Sequence, residues 1–200
     1  MNDISKLQFE VNFINNKTIK DIVEYMLKHK SPKYFWSVGS SSTGYFHPTN
    51  NGQPITLVDH TKSATRILRL LLTHPMVAGQ IDGLKADLMT AAIIVHDLAK
   101  RGATDEGASE YTVHEHPVLI SLMAPPDMTS EQQYYFSEIV RLACSHTGPW
   151  RFSERSTYVL PEIEQYDQYL VHLADWLSSR KIFHVDLEDD TNLISYLSQR

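Results

Sequence analysis

The chain of 200 residues contains one cysteine, Cys144, so neither an intramolecular disulfide nor a thiolate metal cluster can be built, which fits a reducing compartment. Long apolar runs are missing as well. No segment approaches the roughly 18 apolar residues of a membrane span, and Met1 to Lys6 lacks the basic start and apolar stretch of a signal peptide. A soluble cytoplasmic protein without a membrane partner is the expectation. Positive charge is scarce: 18 Lys and Arg against 24 Asp and Glu leave a net charge of −6, which does not favour nucleic acid as a partner. There is no internal repeat, no low-complexity tract and no useful strand-like alternation. Histidine, by contrast, is plentiful, with ten in the chain, several of them inside apolar helical patterns where a polar ring needs a partner.

Periodicity predicts an all-α single domain. Ile19, Ile22, Val23, Met26 and Leu27 mark an opening amphipathic helix that stops near Ser31-Pro32. Lys33 to Pro54 has no helical period and reads as a long structured loop. A helix over Val58–Leu72 puts His60 on its apolar face with Ala64, and one over Asp82–Lys100 carries His96 and Asp97 near its end, with Gly102 as its stop. A short helix starts around Pro117 and is closed by Pro125-Pro126. Ser130 with Gln133 resembles a capping box, after which Tyr135, Ile139, Leu142 and His146 share a face. Pro161 is expected to open a last helix in which Tyr166, Tyr169, Leu170, Leu173, Trp176 and Leu177 form the stripe and Asp175 sits in the middle. An acidic loop and a terminal helix follow.

Four helices or helix ends thus place His60, the His96-Asp97 pair, His146 and Asp175 on or beside apolar faces. One reading is a set of core polar groups satisfied by neighbouring backbone. The other is a shared divalent cation, which satisfies all of them at once. Mixed nitrogen and carboxylate ligands suit Mn, Fe, Ni, Zn or Mg.

The ordered set His60, His96-Asp97 and Asp175 resembles the HD-domain superfamily of metal-dependent phosphohydrolases, whose pattern is a His, a His-Asp doublet and a distal Asp on separate helices. The likeness runs from about residue 57 to 180. It implies a helical HD-type bundle as the core, preceded by a helix and substrate loop over 1–56 and followed by the acidic loop and helix over 181–200. Binuclear members add two histidines between doublet and distal Asp, with the doublet Asp bridging the ions. His116 and His146 look like those two, with His114 as the alternative to His116.

The resemblance implies one or two divalent ions as cofactors and hydrolysis of a phosphomonoester or phosphodiester, most plausibly a small nucleotide, by metal-activated water. Asp97 and Lys100 are then the catalytic pair, Lys100 reaching a phosphate as a point charge, although a basic residue also simply suits a helix C-terminus. Tyr45 and His47, in the loop before His60, are candidate substrate contacts. Two other functions fit the same ligand order: a mixed-valent di-iron oxygenase and a non-catalytic nucleotide-binding or regulatory module.

Overall fold

A computed structural model describes residues 3–40, 49–50 and 53–180, together with Val185 and Leu187. Its helices are α1 (Gln8–Val11), α2 (Lys17–Tyr25, running on into a π-turn over Met26–Lys30), α3 (Leu57–Thr73), α4 (Pro75–Ala78), α5 (Gly83–Val95), α6 (His116–Leu119), α7 (Ser130–Cys144) and α8 (Tyr166–Ser178). The fold is all-α. The strands among the described residues are a two-residue antiparallel pair, β1 (Thr49–Asn50) and β2 (Gln53–Pro54). Tyr45 and His47, the acidic run and the expected terminal helix lie outside the described residues.

The bundle is built around α5. Every residue from Asp87 to Val95 is buried, because α3, α7, α8 and α2 all pack against this helix. Such a helix needs no amphipathic stripe; its surroundings are apolar on all sides. Asp87 is tolerated there because its carboxylate accepts hydrogen bonds from the backbone N–H groups of Asn15 and Asn16 at 3.1 and 2.7 Å. α3 starts on a capping box in which the Thr56 hydroxyl accepts from the Asp59 N–H and the Asp59 carboxylate accepts from the Thr56 N–H.

Several local expectations are corrected. The third helix stops at Val95, not Lys100, and turns lead through the doublet. Gly102, with φ +120°, belongs to this later turn and does not end the helix. Tyr34 holds that turn: its hydroxyl donates to the Gly102 carbonyl at 2.6 Å and accepts from the Arg101 N–H at 3.0 Å. Part of the segment expected as a loop is therefore a 3-10 helix, Lys33–Trp36, whose Phe35 and Trp36 are buried. The capping box before α7 is Thr129 with Gln132, one residue earlier than the Ser130–Gln133 reading, because Ser130 is already helical.

The last helix begins at Tyr166 and not at Pro161, which lies in an extended approach. Its buried face is Asp167, Gln168, Leu170, Val171, Ala174 and Ser178, while Tyr166 and Tyr169 face solvent. The amphipathic aromatic rings misdirected the pattern; the inward face includes polar residues with partners. Asp167, for example, accepts from Arg141 of α7 at 2.8 Å and lies 3.6 Å from Lys85 of α5, tying three helices together.

Candidate metal centre

The ends of α5, α7 and α8 meet beside the first turn of α3, and His60, His96, Asp97, His116, His146 and Asp175 converge there. His60 stands one turn into α3, His96 and Asp97 immediately follow α5, His116 opens α6, His146 lies two residues past α7, and Asp175 lies near the end of α8. All are buried except Asp175, whose side chain is 19% exposed.

Helix ends orient the rings. The last carbonyls of a helix have no intrahelical partner. His96 Nδ1 contacts the Ile93 carbonyl and His146 Nδ1 the Ala143 carbonyl, each at 2.7 Å, and His116 Nδ1 reaches the Val113 carbonyl of the preceding turn at 2.7 Å. A carbonyl only accepts, so each Nδ1 carries a hydrogen and each neutral ring presents its Nε2 lone pair to the centre.

His60 is set in the same way by a side chain that sequence reasoning missed. The Ser178 hydroxyl donates to the Asp175 carbonyl at 2.7 Å, so toward His60 Nδ1, 3.1 Å away, it can only accept. The three-residue spacing Asp175–Ser178, about one helical turn, is its one mark in the sequence.

The donor atoms fall into two groups. His60 Nε2, His96 Nε2 and Asp175 Oδ1 are 2.9–3.3 Å from one another, and Asp97 Oδ2 is 3.6 and 3.5 Å from the two imidazoles. On the other side, His116 Nε2 and His146 Nε2 are 3.2 Å apart and stand 3.1 and 3.8 Å from Asp97 Oδ1. Metal–ligand bonds of roughly 2.0–2.2 Å give neighbouring ligand atoms separations of about 3–3.5 Å, close to the 2.9–3.8 Å found. His60, His96 and Asp175, and likewise His96, Asp97 and His146, could hold a metal ion, and His116 joins the second group through its contacts with His146 and Asp97, whose two oxygens are turned to different groups.

Without a cation the arrangement is unfavourable. The facing Nε2 atoms of His116 and His146 are both acceptors in the neutral rings, and Asp97 Oδ1 is buried without an aligned hydrogen bond. Burial pushes His146 down to about 3, and the neighbouring His96 ring adds to the shift. Burial also lowers His60 against the pull of Asp175, whereas at His96 the adjacent Asp97 and Asp175 outweigh burial and raise it. Burial disfavours charge on Asp97 and Asp175 too. Lys100 and His96 nevertheless hold Asp97 well below the carboxylate range, and contacts with His60 and His96 do so for Asp175. The cluster is a place where positive charge must sit, whether proton or metal.

Lys100 supplies part of that charge. Its Nζ lies 2.5 Å from Asp97 Oδ2, reaching back from the turn; it is not projected along a continuous helix face as the sequence suggested. His114, the alternative to His116, points away and contacts the Tyr158 carbonyl at 3.1 Å. A cleft of about 410 Å³ opens over the centre, walled by Lys100, Thr147, Trp150, Trp176 and Arg180. The spacing of His172, three residues before Asp175, allows a partner behind the ligands or, the favoured sequence reading, a solvent-facing ring; its Nδ1 lies 2.7 Å from the His146 carbonyl. Cys144 is buried, its thiol donating to the Pro117 carbonyl at 3.4 Å.

No helix among the described residues is long and apolar enough to cross a membrane. No protein-family model, curated protein or solved structure matches the chain.

Proposed function

We propose that this chain is an HD-type, metal-dependent phosphohydrolase that hydrolyses a phosphomonoester or phosphodiester of nucleotide size at a two-ion centre. The observation that carries the proposal is Asp97, buried between two sets of imidazole donors with one carboxylate oxygen toward each. His60, His96, Asp97 and Asp175 would hold one divalent ion, and His116, His146 and Asp97 the other. Divalent ions so held supply a hydroxide nucleophile near neutral pH and offset the charge that develops on the phosphoryl oxygens.

The chain's own groups do the rest. Backbone carbonyls and Ser178 keep the Nε2 atoms aimed inward, so the donor set needs little reorganisation on loading. Lys100, on the cleft wall beside Asp97, is placed to meet a phosphoryl oxygen as a point charge. Trp150 and Trp176 give the cleft aromatic walls that suit a nucleoside, and its volume lies within the usual range for a small-molecule site. The net charge of −6 favours a small phosphorylated substrate over a nucleic acid.

The test is metal analysis of protein purified without chelators, paired with a phosphatase and phosphodiesterase panel on Mn-loaded wild type and Asp97→Ala. Metal well above background and phosphate release in the wild type, both lost in the variant, are expected. A wild type that stays metal-free after exposure to Mn, Fe, Ni and Zn in turn overturns the proposal. Oxygen uptake by iron-loaded protein without phosphate release would replace it with oxygen chemistry.

A further inference from the structure

His172 stands one helical turn before Asp175 on α8 and is three-sided in its contacts. Its Nδ1 is 2.7 Å from the His146 carbonyl. Because a carbonyl only accepts, the ring donates this bond and ties the peptide of a metal-competent residue to the helix that carries Asp175. Its ring also lies against Trp150, with centroids 5.9 Å apart. Between these two contacts the chain turns at Gly148, whose φ of +60° is a left-handed conformation. The ring fills the space there: a Cβ on Gly148 would come within 2.3 Å of His172 Cε1 and 2.6 Å of both ring nitrogens. Glycine is needed at this position for both reasons, backbone and contact.

The segment from His146 to Trp150 is therefore held on α8 by one side chain, with a metal-competent imidazole at one end and a cleft wall at the other. The same helix reaches the remaining donors through Asp175 and Ser178, so residues 172, 175 and 178 form a row that addresses both halves of the centre. The His116 ring is oriented by the Val113 carbonyl of its own turn, and its flanking residues are held from elsewhere, the Pro117 carbonyl accepting from the Cys144 thiol.

We infer that His172 is a positioning residue for the ion-binding half formed by His116, His146 and Asp97, acting through the His146 peptide and not by ligation. This rests on the two-ion reading of the centre. Outer-sphere bonds made directly to a ligand ring or carboxylate change metal affinity roughly 10- to 100-fold when removed; acting through the peptide, His172 is expected at the lower end of that range.

The experiment is calorimetric titration of metal-free protein with Mn, followed by electron paramagnetic resonance of the loaded samples. In His172→Ala the second equivalent should weaken about tenfold or more while the first stays within about twofold, and the signal should change from coupled to isolated Mn. His172→Asn, which keeps a donor close to the position of Nδ1, should largely restore the second equivalent. Gly148→Ala should mimic His172→Ala by displacing the ring, and should cost less when the two are combined, since the collision is then gone; this keeps the test available should one variant not fold. Equal weakening of both equivalents, or no effect, overturns the inference, as does an Asn variant that behaves like Ala. A wild type that takes up fewer than two ions overturns it together with the two-ion reading, whereas two ions in the wild type and an unaltered His172→Ala overturn it alone.

Discussion

Two of the buried polar clusters in this bundle, those around Asp167 and Asp97, answer the cost of burial in opposite ways. Around Asp167, the Arg141 guanidinium, the Gln168 N–H and Lys85 match the carboxylate with donors, and Arg141 is further paired with Glu138. Its carboxylates are matched by cations, although Arg141 Nη1 is buried without an aligned partner. Around Asp97, two carboxylates meet four imidazoles aimed by fixed Nδ1 contacts, and among the described residues Lys100 is the only Lys or Arg within ion-pair distance of either carboxylate. A group of charges matched by its own cations fastens helices; one whose acceptors face one another could hold a metal ion.

The comparison breaks first if metal does nothing for the second cluster. A ligand that binds only the folded state stabilises it by about 2.7 kcal/mol at a hundredfold excess over its dissociation constant. Saturating Mn should therefore raise the melting temperature of the wild type by several degrees, and Asp97→Ala should lose that increment. Asp167→Asn is the converse. Removal of the charge partnered by Arg141 should lower stability by roughly 1–3 kcal/mol in chemical unfolding while leaving the Mn increment intact.

Acid sharpens the distinction. Burial tends to raise the Asp167 carboxyl, but hydrogen bonds from Arg141 and the Gln168 N–H hold it below its ordinary value. Its folded pKa thus lies under the unfolded one, so the stability it contributes is present above about pH 4 and fades as pH falls through the folded value. The gap between wild type and Asp167→Asn should close in unfolding titrations taken below pH 4. A gap independent of pH would show that packing, not charge, accounts for the loss.

The smallest effect is expected at Ser178. Replacement by alanine removes the acceptor that fixes the His60 ring, and should weaken the first ion about tenfold with a stability change under about 1 kcal/mol. Titration calorimetry and thermal unfolding of the same variant separate the two quantities.

Much of the fold was legible because apolar spacing survives as burial: α2 and α3 follow their stripes within a residue or two. The pattern failed where amphipathic side chains intervened, at Tyr166 and Tyr169, and where a helix stopped without a breaker, at Val95. Of the site, each of the six metal-competent residues was visible as a costly group on an apolar face or as part of an ordered set. Ser178 was not visible, and for His172 the spacing to Asp175 suggested a partner behind the ligands while a solvent-facing ring was favoured, because a hydroxyl or a ring near a helix end gives no sign in sequence of which distant carbonyl or imidazole it meets.

By itself the order of residues determined the helical class, the burial of His60 and the presence of enough imidazole and carboxylate for a divalent ion. Tertiary structure alone decided that His116 and not His114 joins the centre, that Asp97 divides its oxygens between two groups, and that Lys100 turns back onto Asp97. The reason is physical. Periodicity reports which face of a helix is driven from water, a matter of local spacing, whereas the aim of a lone pair depends on where several helices end relative to one another.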